Sequence, residues 1–330
     1  AQTKQQLVNK KAIFIELNSV ESTLIRVSPM KPIIKNLLSH VAVVAALSLF
    51  AAGAAQAASI CGTVFEDVNY GGGAGRSLAA SSGATLNGVR VELYNATTGF
   101  LAANGVNTSG AGGYCFNGLA AGNYLVRVSN SPAGGVNGSS GLRSQRTGSN
   151  NTLWGVQTFK TSFAGGVVSP VTNQVGGADP TRQDSVELAD GHGCQISSAG
   201  IFSLCGSNNG QTQSFTLLNA VGAADNITGI DFGFNWDTIV READSGQGTL
   251  RQFILNSNAL TGEGSLAQSG NSWNLNTNSS VALPSGKETS IFMIPGNSVK
   301  TISVVGSALP NITGFDTRLD GGTQTANIGN

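Results

Sequence analysis

The sequence predicts a mainly β protein: a β-sandwich of short strands, then one helix and further short strands. Three observations predict it. Gly supplies 45 of 330 residues, near twice its usual share, while charged residues make up 11%, under half of theirs. Gly, Ser, Thr, Asn and Val dominate, in short apolar-alternating runs separated by turn signals. Convincing helical periodicity occurs once after residue 57, at 248–260. Such a profile argues against a helical bundle, a coiled coil or a nucleic-acid binder, and the length suits roughly two domains.

The first element is an export signal. Met30-Lys31-Pro32-Ile33-Ile34-Lys35 is basic, residues 37–50 are apolar but short for a bilayer span, and Ala55-Gln56-Ala57 is a small-x-small cleavage site. The order basic, apolar, cleavable is that of a secretory leader over 30–57, which sets aside a buried helix of the mature fold. Residues 1–29 precede Met30 and read as an over-extended or extended leader outside the fold. Cleavage removes six basic and two acidic residues and leaves 12 basic against 16 acidic. This mildly acidic, Lys-poor chain has no basic patch for phosphates, so nucleic acid and anionic membrane are poor partners, and no transmembrane segment follows the leader. Cys61, Cys115, Cys194 and Cys205 all survive cleavage, and an even count in an exported chain points to disulfides; zinc, with one mature His, is the weaker reading.

The next module, 58–237, opens on the alternating run 60–65 and a turn-rich loop 66–75. A second strand at 89–94 places Val89, Val91 and Leu93 on one face, and runs at 113–119 and 124–128 follow. Here the segments CGTVFED, LNGVRVELYNATTG and GGYCFNGLAAGNYLVRV resemble the prealbumin-like B-type module of bacterial surface proteins, the family of collagen-adhesin and serine-aspartate-repeat B domains, over 60–128. The resemblance implies a prealbumin-like β-sandwich closed by a strand at 230–234, so that residues 129–229 form a long insertion with a mobile 130–151 loop.

Some members of that family crosslink through a Lys–Asn isopeptide, but residues 58–159 contain no Lys. In its place the resemblance implies a Cys61–Cys115 disulfide, joining two strands that would lie side by side in such a sandwich. Related modules can also hold calcium after the first strand. Here Glu66, Asp67 and Asn69 match and Gly71 replaces a further acid, so three oxygens stand against the usual six to eight and a solvated turn is the favoured reading. Cys194 and Cys205 read as a local loop staple, and His192, without a nucleophile signature, as a turn histidine.

In 238–330, Leu250, Phe253, Ile254 and Ser257 recur at helical spacing, with Asp244 or Ser245 as the cap. ADSGQGTLRQFILNSNA is similar to the element that precedes right-handed parallel β-helices in secreted bacterial surface proteins, which implies a capping helix. Runs at 291–295, 300–305 and 318–323 then read as the strands and turns of a first coil, cut off at Asn330. The module is expected to fold alone and 238–330 is not.

The functional expectation is a non-catalytic extracellular structural or adhesion segment without a cofactor, meeting a cell-surface or matrix protein, a glycan, or a second copy of itself. The alternatives are the start of a secreted polysaccharide-degrading β-helix enzyme and a filament subunit. Trp154, Trp236 and Trp273 read as core residues first and as sugar-stacking platforms second. N-terminal sequencing of the exported protein should return Ala58-Ser59-Ile60; an end upstream of Met30 would refute the leader.

Overall fold

The computed structural model describes residues 57–148, 151–187 and 212–329. The 60–65 run forms the middle of β1 (Ala58–Glu66), whose Ile60 and Val64 are fully buried. Short elements follow: β2 (Tyr70–Gly71), a one-turn helix α1 (Leu78–Ser81) and β3 (Ala84–Thr85). Then come β4 (Arg90–Asn95), β5 (Leu101–Asn107), β6 (Gly113–Leu119) and β7 (Gly122–Val128); β4, β6 and β7 lie close to the strands expected from alternation, and β5 adds a strand the sequence reading did not give. Val91 and Leu93 of β4 enter the main core beside Val89, because successive side chains leave a strand on opposite faces.

The 129–229 stretch departs from the insertion expected. It supplies β8 (Val156–Ala164), β9 (Val167–Val171), β10 (Phe215–Val221) and β11 (Asn226–Ile227), before β12 (Phe232–Asn235). An eleven-stranded curled sheet runs β11-β1-β12-β8-β10-β7-β4-β5, with β3 and β6 also on β1 and β9 on β8. β8 and β10 therefore stand in its middle, as integral strands. The stretch read as a mobile loop is packed as well: Asn130 and Ser131 are buried, and Leu142 sits in the core with Trp236. Irregular backbone can pack in this way when its polar groups find partners, and the Asn130 side-chain amide donates to the Gly155 carbonyl at 2.9 Å.

β1 changes direction of pairing along its length. It runs antiparallel to β6 and β3, and parallel to β11 near its start and to β12 at its end. Between the parallel partners the Ile230 carbonyl crosses Gly62, where a Cβ would lie 1.8 Å from that oxygen, so only glycine fits. The Tyr114 hydroxyl donates to the same carbonyl at 2.5 Å. One residue away, Cys61 and Cys115 face each other across the β1–β6 ladder, Cα atoms 4.1 Å apart, and are disulfide-bonded. Closing a loop of 54 residues contributes roughly 4 kcal/mol by restricting the unfolded chain.

After residue 237 come β13 (Thr238–Ile239) and α2 (Leu250–Ala259), then β14 (Ser269–Asn274) and β15 (Ser279–Ala282). β16 (Glu288–Thr289), β17 (Ile291–Phe292), β18 (Thr317–Arg318) and the short helix α3 (Gly322–Asn327) complete the described chain. The predicted stripe of α2 is buried, Phe253 and Ile254 packing with Ile239, Phe292 and Ile294. Its cap differs from expectation: Thr249 Oγ1 accepts the Gln252 amide at 3.2 Å, while Asp244 is held by Arg251 at 2.6 Å. Two short parallel ladders form, β13 with β17 and β16 with β18. The strand expected at 300–305 is absent: Val304 and Val305 are exposed and take no ladder partner.

No gap separates the two predicted segments. β2 pairs in parallel with β14, and Tyr70 and Val156 pack in one cluster with Val240, Leu283, Ile291 and Met293. Asn256 Nδ2 donates to the carbonyls of Trp154 and Trp236 at 2.9 and 2.8 Å. Cutting after Asp237 would uncover these groups, at about 1.5–3 kcal/mol per large apolar side chain. The chain from residue 58 on should therefore melt in one cooperative transition, and residues 58–237 alone at least about 10 °C lower; two independent transitions in calorimetry of the longer chain would refute this coupling.

Candidate functional site

The three residues matched to a calcium loop turn to three different partners. Glu66, buried at the end of β1, accepts from Ser144 Oγ at 2.7 Å and the Gln145 amide at 2.6 Å. Asp67 is paired with the Arg76 guanidinium, whose Nε donates at 3.0 Å. Asn69 Oδ1 accepts the Ala267 amide at 2.7 Å. Gly71, at the position where a further acid was sought, lies flat against β14, and a Cβ there would meet the Ser269 carbonyl carbon at 2.4 Å. These oxygens bind chain to chain and do not form a common shell, so the arrangement does not fit a calcium ion. Among the described residues no group of three or more His, Cys, Asp or Glu is placed to hold a metal. Cys194, Cys205 and His192 lie outside the described residues. Trp236 is core, its indole N–H on the Leu153 carbonyl at 3.2 Å.

What the fold does assemble is a buried charged junction around Arg146. Its Nη1 donates to Glu288 Oε1 at 2.6 Å and Asp237 Oδ1 at 3.1 Å, and Nη2 stands 3.5 Å from Glu263 Oε1. The strap carrying it is fastened on both sides: Ser144 and Gln145 hold Glu66, while the Thr147 carbonyl accepts the Thr261 amide at 3.0 Å. The strap thus joins the end of β1 to the segment after α2. Gln268 completes the cluster, donating to Asp237 Oδ2 at 3.1 Å and to the Thr289 carbonyl at 3.0 Å.

Four acids, Glu66, Asp237, Glu263 and Glu288, stand around one guanidinium, and Asp237, Glu66 and Glu288 are almost without solvent. Burial raises the pKa values of two of these acids. Glu66 is pushed up to about 7 by desolvation, against the pull of Ser144, Gln145 and Arg146. Asp237 rises well above the carboxylate range through desolvation and its neighbour Glu288. The junction thus retains protons at neutral pH. None of the four acids lines the groove around Val175 and Met293 or the one beside Trp273.

A second buried network stands on the outer face of β4 and β7. Arg127 donates to Glu92 at 2.8 Å and lies 3.5 Å from Asp184, and the Tyr94 hydroxyl donates to Glu92 at 2.7 Å. Desolvation pushes Asp184 up to about 6. Residues 184–187 cover that face, with the Ser185 and Val186 carbonyls taking Arg127 Nη2. No sequence spacing announced either network, since Arg146 meets partners 91 and 142 residues away.

The grooves are of different character. One of about 650 Å³ is lined by uncharged groups, among them Gln174, Val175, Pro180, Met293 and Asn327. A second, of about 400 Å³, lies beside Trp273 and Arg318. A scan of the chain against protein-family models returns no match, and a search of the curated proteins returns none either.

The junction makes stability fall as pH rises. The folded state holds the Glu66 proton more tightly than the unfolded chain does. That contribution is full below about 4.5 and lost as pH passes about 7, and Asp237 and Asp184 act with the same sign. Melting temperature should drop from pH 5 to pH 8. Glu66→Gln, whose amide can donate to Ser144 Oγ and accept from Gln145, should stabilise the protein by about 3 kcal/mol at pH 8 and leave it unchanged near pH 4.5. Parallel pH–melting curves for the two proteins would refute the assignment.

Proposed function

We propose that the chain is a non-catalytic extracellular segment of a bacterial surface protein, a disulfide-stapled B-type β module that spaces or presents a β-helical body. The observation that carries this reading is the pair of parallel ladders, β13 with β17 and β16 with β18, capped by α2 and tied to the curled sheet through β2 and β14. Parallel ladders wound by a single chain are the stacking mode of a solenoid, and a helix over the first apolar layer shields its open end. A spacer must carry orientation from one body to the next. The junction around Arg146 supports that role, because a buried charged cluster docks in one arrangement.

Export is supported by the leader at 30–57 and by the Cys61–Cys115 bond, which belongs to an oxidising compartment. Among the described residues no helix is long and apolar enough to cross a membrane. The exported protein, incubated with polygalacturonate, xylan and cellulose, should release neither reducing ends nor unsaturated products. Turnover of any of them would overturn the non-catalytic reading in favour of a polysaccharide-degrading enzyme.

A further inference from the structure

The groove of about 400 Å³ lies between the β14–β15 hairpin and the turn from β18 into α3. Two features set it apart from the larger, uncharged groove. Trp273, half-buried in β14, lines it, and its indole N–H has no acceptor among the described residues. Arg318 lines it too, 40% exposed, with one guanidinium nitrogen 2.8 Å from Asp320 and its remaining donors directed to no protein group. Gly321 and Gly322 also line it. Glycine at 322 is required by contact: a Cβ there would lie 2.5 Å from the Trp273 carbonyl oxygen.

Arg318 is paired in charge with Asp320. Asp320 accepts the Gly322 amide at 3.0 Å on its carboxylate and donates its backbone amide to Ser290 Oγ at 2.9 Å. Its Oδ2, 2.8 Å from the guanidinium, takes no hydrogen bond, so the planar donors of Arg318 stay open to a ligand. Asp320 also cancels its charge, which removes the attraction for an anionic ligand. The outer rim carries apolar surface, Leu275 at 85% and Val281 at 36% exposure.

We propose that this groove is a saccharide subsite for a neutral pyranose unit. A pyranose has an apolar face of C–H groups and an edge of hydroxyl and ring oxygens. An indole plate takes the first, and planar N–H donors take the second. The neutral Arg318–Asp320 pair selects against uronates. The proposal deepens the surface reading and rests on it only in that extracellular segments meet glycans. Its test uses purified protein, so its failure leaves the non-catalytic reading standing.

The experiment is titration calorimetry of the exported chain with cellohexaose, laminarihexaose and mannohexaose, with trigalacturonate as the acidic comparison. At least one neutral oligomer should bind and trigalacturonate should not. Trp273→Ala should weaken binding tenfold or more, and Arg318→Lys, which keeps the charge and loses the planar fork, severalfold. Trp273→Phe, which keeps a ring and loses the N–H, should fall between wild type and Trp273→Ala. Melting curves of all three variants should match wild type. No binding of any neutral oligomer, binding of trigalacturonate alone, or undiminished binding by Trp273→Ala would overturn the proposal.

Discussion

β1 serves more partners than one strand ordinarily has, and the rest of the molecule depends on how it does so. Its first half is held between β6 and β11 and its last residues between β3 and β12, so the strand changes partners just past Gly62. Gly62 lets the Ile230 carbonyl cross at a distance no side chain would allow. Thr63 is fixed beside it, its amide donating to Asp231 Oδ1 at 2.8 Å, and the Cys61–Cys115 bond locks the antiparallel edge. From the far end of the same strand Glu66 reaches the strap that carries Arg146. Sheet, staple and junction are thus consequences of one strand's path.

The junction carries an energetic cost that the apolar clusters offset. Taking Asp237, Glu288 and Arg146 out of water costs several kcal/mol per ion, and pairing returns only part of it. Proton retention lowers that cost by neutralising acids that one guanidinium cannot balance. What the arrangement supplies is uniqueness of docking, since a slipped strap would leave buried charge unpaired. An apolar contact of the same size would tolerate such a slip. Around it, the cluster of Tyr70, Val156, Val240, Leu283, Ile291 and Met293 provides the nonspecific part of the adhesion.

Much of the secondary structure was legible because one face of each strand meets the core. Alternation at 60–65, 89–94, 113–119 and 124–128 marks β1, β4, β6 and β7, and the stripe of Leu250, Phe253 and Ile254 marks α2. The reading failed where local pattern and tertiary context diverge. At 300–305 alternating apolar residues find no neighbouring strand, and Val305 remains 71% exposed. Asp244 has the right chemistry for a cap, but Arg251 takes it and Thr249 caps the helix instead. The 129–229 stretch read as an insertion because the module it follows was expected to close with the strand at 230–234, whereas β8 and β10 have partners on both sides.

By itself the sequence determined where β1, β4, β6, β7 and α2 lie and supplied the cysteines of the staple. Those are local or compositional properties, written in period, turn chemistry and charge. Tertiary structure alone decided which carboxylates lose their water, that Glu66, Asp67 and Asn69 serve three separate partners, and that Arg146 gathers acids from 91 and 142 residues away. It also decided that of two half-read tryptophans, Trp236 is enclosed and Trp273 lines a groove. The physical reason is range. Backbone propensity acts over a few residues and can be read along the chain, whereas desolvation and charge pairing depend on what folding brings within a few ångströms.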